Sequence, residues 1–453
     1  MKFINNSNDL ATYLNLNILK NVNIKNISVD TRTIKKDSLF IAIKGKNFDG
    51  NNFVDQAFKK GAVLAIVDNK KFSNSKNKKI IFVPNTLKAL EKISKNIIKN
   101  YKGKVIAVTG SNGKTSTTNI ISTVLKNSSK TILNYNNEIG MPLSLINASP
   151  DSKHIIMEIG ASKIGDINYL SKILNPIIGV ITNIGNSHLE NLKNIKGVLR
   201  VKSEIIGNIK NNGFLVVPND NKDHLRFWRS YKNNINILTV GFTKDADFSA
   251  IKIQNKSNQT HFTISSKFIK KTINIKTPLQ GKHNVRNILI SFAVYFILEK
   301  NGKHFISNLN IKNVRQNKSK WLRGSTLIDD TYNANPDSTK KAIDLLSMYK
   351  KNTILILGDM LELGRYRRKF HKEIGIYAKA KGIKKLLCFG ELTKETVVSY
   401  GKKGIFFDKE KDLKSYLKEN TNSKDAILIK GSRGMKMERF MNVCIFRNSS
   451  CLC

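Results

Sequence analysis

The stretch Lys104–Leu125, KVIAVTGSNGKTSTTNIISTVL, decides how the rest of this 453-residue chain is read. Val105, Ile106, Ala107 and Val108 form a short apolar run, as expected of a buried parallel strand. Gly110 and Gly113 bracket a turn, and Lys114 and Thr115 open a segment where Ile120, Ile121, Val124 and Leu125 recur at helical spacing. A glycine turn feeding a helix N-terminus offers backbone N–H groups and the positive end of a helix dipole to a phosphate. Lys114 adds a charge for the outer phosphates, and the Thr115 hydroxyl stands where a Mg²⁺ ligand is needed. The standard phosphate loop has a glycine five residues before Gly113, where this chain has Val108. The loop is therefore a shorter variant, with Gly110, Ser111, Asn112, Gly113, Lys114, Thr115 and Ser116 placed to hold a nucleotide.

Outward from this loop, short apolar strands end in polar residues. His154–Glu158 ends in a carboxylate, and Ile177–Gly185 reads as a strand running into Asn186, Ser187 and His188. Open α/β sheets bind ligands at the carboxyl ends of their strands. Glu158, His188 and the glycine loop can then converge beside the nucleotide phosphates and hold Mg²⁺, although a histidine is an unusual Mg²⁺ neighbour and His188 taken alone would read as a cap. Residues 134–142 read as a structured loop rather than a helix. In it Asn136, Asn137 and Glu138 could bind a polar substrate or simply cap turns. Lys202 follows on a helix close behind His188. Asn284 and Asn287 sit one helical turn apart at the start of a long apolar helix, as adenine readers or as caps. From about residue 325 strands and helices alternate, which describes a second doubly wound domain. One of its strands ends at Asp330, before Asn333 and Asn335.

Length predicts roughly three domains at about 150 residues each. We expect an α/β chain with a substrate-binding domain over 1–84, a central P-loop-type parallel-sheet ATP domain over 85–314, and a C-terminal Rossmann-like domain over 315–453. The apolar run near Ile288–Leu298 is too short to span a bilayer and predicts a buried helix. Four cysteines, three of them in the last ten residues, give no disulfide framework, and no signal peptide is visible, so a cytoplasmic protein is expected. The net charge of +45 invites a nucleic-acid partner. The lysines, however, are scattered among abundant Asn and Ile, as compositional drift would leave them, and no nucleic acid is expected. A positive field still attracts anionic nucleotides. In the N-terminal part, Ser28, Thr31 and Arg32 could bind a diphosphate through the guanidinium fork, or Arg32 could make a surface ion pair.

Together these stretches resemble the Mur ligases, over nearly the whole chain and in family order. The loop TGSNGKTS (109–116) and Glu158 resemble features of the superfamily that also includes folylpolyglutamate synthases. The segments 136–142 (NNEIGMP), 330–336 (DTYNANP) and 358–364 (GDMLELG) resemble one branch within it. The resemblance implies an ATP-dependent ligase that joins D-alanyl-D-alanine to UDP-N-acetylmuramoyl-tripeptide through an acyl phosphate, acting as a monomer. It implies a uridine diphosphate site at Ser28, Thr31 and Arg32. It also implies a carbamylated Lys202 helping Thr115, Glu158 and His188 hold Mg²⁺, an adenine side at Asn284 and Asn287, and a ribose contact at Asp330. Lys114, Glu158, His188 and Lys202 form the implied catalytic set. The chain departs from the family pattern at Asn51 and Asn52, where a histidine usually follows Asp49-Gly50. It departs again in the shortened segment Arg315–Arg323 and in the tail Asn442–Cys453.

Overall fold

Strand Lys104–Thr109 forms as expected and lies deep inside a nine-stranded sheet. The computed structural model describes residues 2–16, 21–45, 48–232, 234–256, 259–299, 305, 317–349 and 352–443. Across the sheet the strands run Ile273–Thr277, Gln259–Ser266, Phe248–Lys256, Ile235–Gly241, Gly213–Pro218, Ile178–Ile181, Lys104–Thr109, His154–Glu158 and Ser128–Lys130. The seven strands from Phe248–Lys256 to Ser128–Lys130 are parallel, and a hairpin-like antiparallel pair closes one edge. Lys104–Thr109 has His154–Glu158 on one side and Ile178–Ile181 on the other. The chain reverses its direction of travel across the sheet there, which makes the carboxyl end of this strand the switch point where a ligand crevice opens.

Side chains alternate across the strand. Val105 and Ala107 join the core shared with helices Thr86–Asn100, Gly140–Ile146, Asp166–Leu174 and Ile195–Ser203. Ile106 and Val108 join a second core under helices Lys114–Val124 and Lys282–Glu299. The latter helix is buried continuously from Asn287 to Tyr295 and has apolar residues all round, as a core helix should. Among the described residues no helix is long and apolar enough to cross a membrane.

A four-stranded parallel sheet over Asn26–Phe82 precedes this unit, and a six-stranded sheet over Asn317–Lys430 follows it. Helix Thr86–Asn100 buries Leu90, Ile93 and Ile97 in one core with Leu39, Leu64 and Ile66 of the first sheet and Met157 of the second. In the last sheet Asp425–Lys430 lies between Thr326–Asp330 and Asn352–Gly358, all parallel, with Asn317–Lys320 antiparallel at the edge. That order places Asp330, Lys430 and Gly358 at neighbouring strand ends.

Two local expectations change. The strand expected over 177–185 stops at Ile181, because Thr182 and Asn183 turn their side chains onto the glycine loop. Residues 134–142 are not loop throughout: Gly140, Met141 and Pro142 open the helix Gly140–Ile146. Proline is tolerated there because the first-turn N–H groups have no intrahelical acceptor.

Candidate active site at the switch point

The glycine loop is held from below by the strand end that follows Ile181. Gly110 (φ 142°) and Gly113 (φ 81°) adopt conformations that disfavour a side chain. Ser111 Oγ donates to Gly185 O (3.0 Å) and accepts from Gly185 N–H (2.9 Å). Asn112 N–H donates to Asn183 Oδ1 (3.0 Å), and Thr182 Oγ1 donates to Asn112 O (2.5 Å). Half-buried Lys114 reaches back over the loop, its Nζ donating to Gly110 O (2.9 Å).

Glu158 is buried and accepts from both sides. Thr115 Oγ1 donates to its Oε2 (2.8 Å), and Asn136 Nδ2 donates to its Oε1 (2.6 Å). Asn136 is thereby brought to the phosphate side of the site. Asn137 instead caps the following helix, its Oδ1 accepting from Gly140 N–H (2.8 Å), while Glu138 lines the cleft rim. Lys202 is almost wholly buried. Desolvation, with Lys114 close by, lowers its pKa to about 7 against the opposing pull of Asp166, Glu204 and Glu158.

The C-terminal sheet forms the facing wall of a cleft of about 730 Å³. Asn335 caps helix Pro336–Ser347 and donates from Nδ2 to Asn112 Oδ1 (2.9 Å), while Asn186 N–H donates to Asp337 Oδ2 (2.8 Å). Asn333 lines the cleft, exposed, its Oδ1 accepting from Ala334 N–H (2.9 Å) and Arg433 N–H (3.3 Å). His188, in left-handed conformation, has its Nδ1 2.6 Å from Glu362 Oε2. The structure thus sets His188 against a carboxylate of the opposite wall. Among the described residues it does not gather three His, Cys, Asp or Glu side chains into a metal cluster.

A second cavity of about 70 Å³ opens behind Gly113, lined by Ser116, Asn284, Asn287 and Asp330. A Cβ on Gly113 would lie 2.8 Å from Asn287 Oδ1, so any side chain there would have to displace the Asn287 amide. Asn284 Nδ2 donates to Gln280 O (2.8 Å). Asp330 holds Lys430 in a buried ion pair (2.7 Å). His283, beside this cavity, is pushed down to about 3 by desolvation and by the positive charges of Lys341 and Arg286.

Family models match the chain in three consecutive blocks: the Mur ligase family catalytic domain at residues 23–98, the Mur ligase middle domain at 108–295, and the Mur ligase glutamate ligase domain at 315–433. The UDP-N-acetylmuramoyl-tripeptide–D-alanyl-D-alanine ligase of Bacillus subtilis is 36% identical over 432 residues, 92% of each chain. The chain belongs to the Mur ligase family. The Escherichia coli ligase of the same name is 29% identical, covering 94% of both chains. Among solved Mur ligases, MurF from Acinetobacter baumannii superposes with a TM-score of 0.82 at 26% identity, covering 95% of this chain and 96% of that one. MurF from Thermotoga maritima, solved in complex with ADP, superposes at 0.78 with 27% identity, covering 92% and 96%.

Other expected site residues of this Mur ligase lie away from the cleft. Ser28 is buried at the end of strand Asn26–Ser28, Thr31 Oγ1 donates to Gln56 Oε1 (2.9 Å), and Arg32 is exposed and paired with Asp30 (2.6 Å). Arg323 donates to Glu419 O (3.1 Å) and lines neither cavity, while Arg315 lies outside the described residues. Asn51, where the family pattern has histidine, is buried and donates to Asp49 and Asp68 (2.7 and 2.8 Å). The reading of motifs gave no site role to Lys341, Lys430 or Arg433, nor to Glu362, although Glu362 stands inside the segment 358–364. Lys430 ends one strand and Arg433 follows it in the run Lys430-Gly431-Ser432-Arg433, and that strand-end position was the available signal.

Proposed function

We propose that this Mur ligase joins D-alanyl-D-alanine to UDP-N-acetylmuramoyl-tripeptide at the expense of ATP, giving the UDP-N-acetylmuramoyl-pentapeptide precursor of peptidoglycan. The observation that carries the reading is one cleft in which the glycine loop, the Thr115–Glu158 pair and a C-terminal wall face each other at the switch point. Loop residues 110–116 would cradle the ATP phosphates, with Lys114 on the outermost. Asn284 and Asn287 would hold the adenine end and Asp330 the ribose. Ser28, Thr31 and Arg32 would take the uridine diphosphate end once Arg32 exchanges Asp30 for phosphate. Asn136, Asn137, Glu138, Asn333 and Asn335 would line the peptide's path.

The donor set fits Mg²⁺. Thr115 Oγ1 and Glu158 Oε2 are 2.8 Å apart, about the separation of neighbouring oxygens around an octahedral ion with 2.0–2.1 Å bonds. These two, with His188 and a carbamylated Lys202 nearby, would hold the ion, which supplies charge neutralisation for the phosphates. The chain's own task is orientation. The tripeptide carboxylate attacks the γ-phosphorus, an O–P bond forms, and the bond to ADP breaks. The dipeptide amine then attacks the acyl carbon, a C–N bond forms, phosphate departs, and the ammonium proton passes to a base. Lys114 stabilises charge in the first step. The C-terminal wall excludes water from the acyl phosphate. We take the enzyme to act as a cytoplasmic monomer.

Phosphate release from ATP and Mg²⁺ tests the reading. Release that needs both tripeptide and dipeptide, with a pentapeptide product by mass, is the expected result. Release without peptide, or release driven by DNA or RNA, overturns it. A narrower test is Gly113→Ala. Its left-handed backbone costs about 1–2 kcal/mol with a side chain, and its Cβ would displace Asn287. Calorimetric titration should show ATP bound about ten-fold more weakly.

A further inference from the structure

The smaller cavity, behind Gly113, has walls from two domains. On the central-domain side stand Asn112, Gly113 and Ser116, the back of the glycine loop. On the other side helix Pro336–Ser347 contributes Ser338 and Lys341. The start of that helix is fastened to the loop region. Asn335 donates to Asn112 Oδ1 (2.9 Å), and Asp337 Oδ2 accepts from Asn186 N–H (2.8 Å). Lys341 is one helical turn beyond Asp337 and three residues beyond Ser338, so it shares their face of the helix. The cations around it are already matched: Arg286 pairs with Asp220, Lys430 with Asp330 (2.7 Å), and Lys340 with Glu373 (3.1 Å). Lys341 has no hydrogen-bond or ion-pair partner among the described residues. It is half-buried, and desolvation, followed by the charge of Arg286, lowers its pKa. Such a cation costs stability unless an anion meets it.

The place of that anion follows from the two faces of the loop. Lys114 and Ser111 line the large cleft, where the γ-phosphate meets the attacking carboxylate. Ser116 lines the small cavity together with Asn284, Asn287 and Asp330, at the nucleoside end. A nucleotide that spans both faces has its α-phosphate between them, beside Gly113 and Ser116. We infer that Lys341 binds this α-phosphate from the facing domain, so that the C-terminal domain holds the nucleotide by a phosphate as well as by the ribose. The inference rests on the ATP reading of the loop and adds one ligand to it. The contact needs no outer phosphate, so a nucleoside monophosphate should compete with ATP.

Displacement of a fluorescent ADP analogue by ADP, AMP and adenosine tests it. In Lys341→Gln the affinities for ADP and AMP should both fall by on the order of ten-fold, as expected for one lost charge-assisted hydrogen bond. The affinity for adenosine should not change. Lys341→Arg keeps a cation and should keep most of the affinity. Lys340→Gln, whose parent lysine is held by Glu373, should bind all three ligands as the native protein does. The melting temperature without nucleotide gives an independent readout. Removing a half-buried cation that has no partner should leave it unchanged or raise it, whereas a lower value with unchanged binding would mark Lys341 as structural and sink the inference. Equal losses for all three ligands overturn the phosphate contact, and a loss confined to ADP overturns its assignment to the α-phosphate. Unchanged binding of ADP and AMP overturns the inference while the loop reading stands. A native protein that binds no ADP overturns both.

Discussion

Replacing Lys114 with alanine lowers ATP-dependent turnover by about a thousand-fold and leaves the melting temperature within a degree or two of the parent. The two halves of this result have separate causes. Lys114 is only half-buried, and its Nζ donates to Gly110 O (2.9 Å) within its own loop. Truncation removes this bond, and the loop keeps the hydrogen bonds of Ser111, Asn112 and Thr182 that shape it. The change in stability should therefore lie within the ±0.5 kcal/mol typical of surface sites. Phosphoryl transfer is different, because an anionic carboxylate must approach an anionic phosphate, and a fixed cation beside the transferring group acts only as that charge develops. Lys114→Arg separates position from charge. It keeps the cation on a bulkier, planar head and should recover only a small part of the rate. Single-turnover measurement of ADP formation with saturating substrates checks this. A Lys114→Ala enzyme of undiminished rate would falsify the phosphate role of the loop.

What the sequence made legible was local. Strand Lys104–Thr109 and helix Lys114–Val124 fall where the apolar run and the helical spacing put them, and the turn between Thr109 and Lys114 was marked by glycines that geometry requires. These features depend on neighbours within a few residues. The length of the strand after Ile177 was misjudged because its end is decided by partners far away: Thr182 and Asn183 bond to Asn112, some seventy residues earlier. Helix Gly140–Ile146 was hidden for another reason, since its clustered Gly and Pro resemble loop punctuation although Pro142 sits in a first turn that accepts it.

The site divides in the same way. Glu158 and Thr115 were legible because strand ends and helix starts of one sheet converge by topology. His188 was legible as a strand-end residue but not as the neighbour of Glu362, which belongs to another domain. Asp330 likewise gave no hint of Lys430, one hundred residues later, which binds it from the adjacent strand. Arg32 shows the limit from the other direction: an arginine two residues after an aspartate reads as a phosphate ligand or as an ion pair, and here it pairs with Asp30. Pairings across domains follow from sheet order, which no local window contains.

Lys202→Ala should lose activity by about a hundred-fold or more, and a short carboxylic acid should restore part of it. The starting point is an amine with almost no exposure and a pKa brought down to about 7 by desolvation and by Lys114. Near neutral pH a large share of it is uncharged. Only an uncharged amine adds CO₂, forming an N–C bond and releasing a proton to give a carbamate. The product would be an anion beside Lys114 and the proposed Mg²⁺ position, in place of a cation that repels both. Alanine leaves a pocket of that length, and acetate or propionate can bring a carboxylate into it. Lys202→Arg fills the pocket with a group that does not deprotonate in proteins, so it should be inactive and resist rescue. Graded rescue in the alanine variant, with none in the arginine variant, is the expected pattern. Full activity of Lys202→Ala without added acid sinks the carbamate role. Stability supplies an independent check of the amine itself. The folded pKa, about 7, lies below the ordinary value of 10.5, so between those pH values the unfolded chain binds more protons. In CO₂-free buffer the urea midpoint should therefore gain from this group as pH rises from 7 towards 10. That gain should be absent from Lys202→Ala, and a parallel pH profile for the two proteins would show that the buried amine titrates as it does in water.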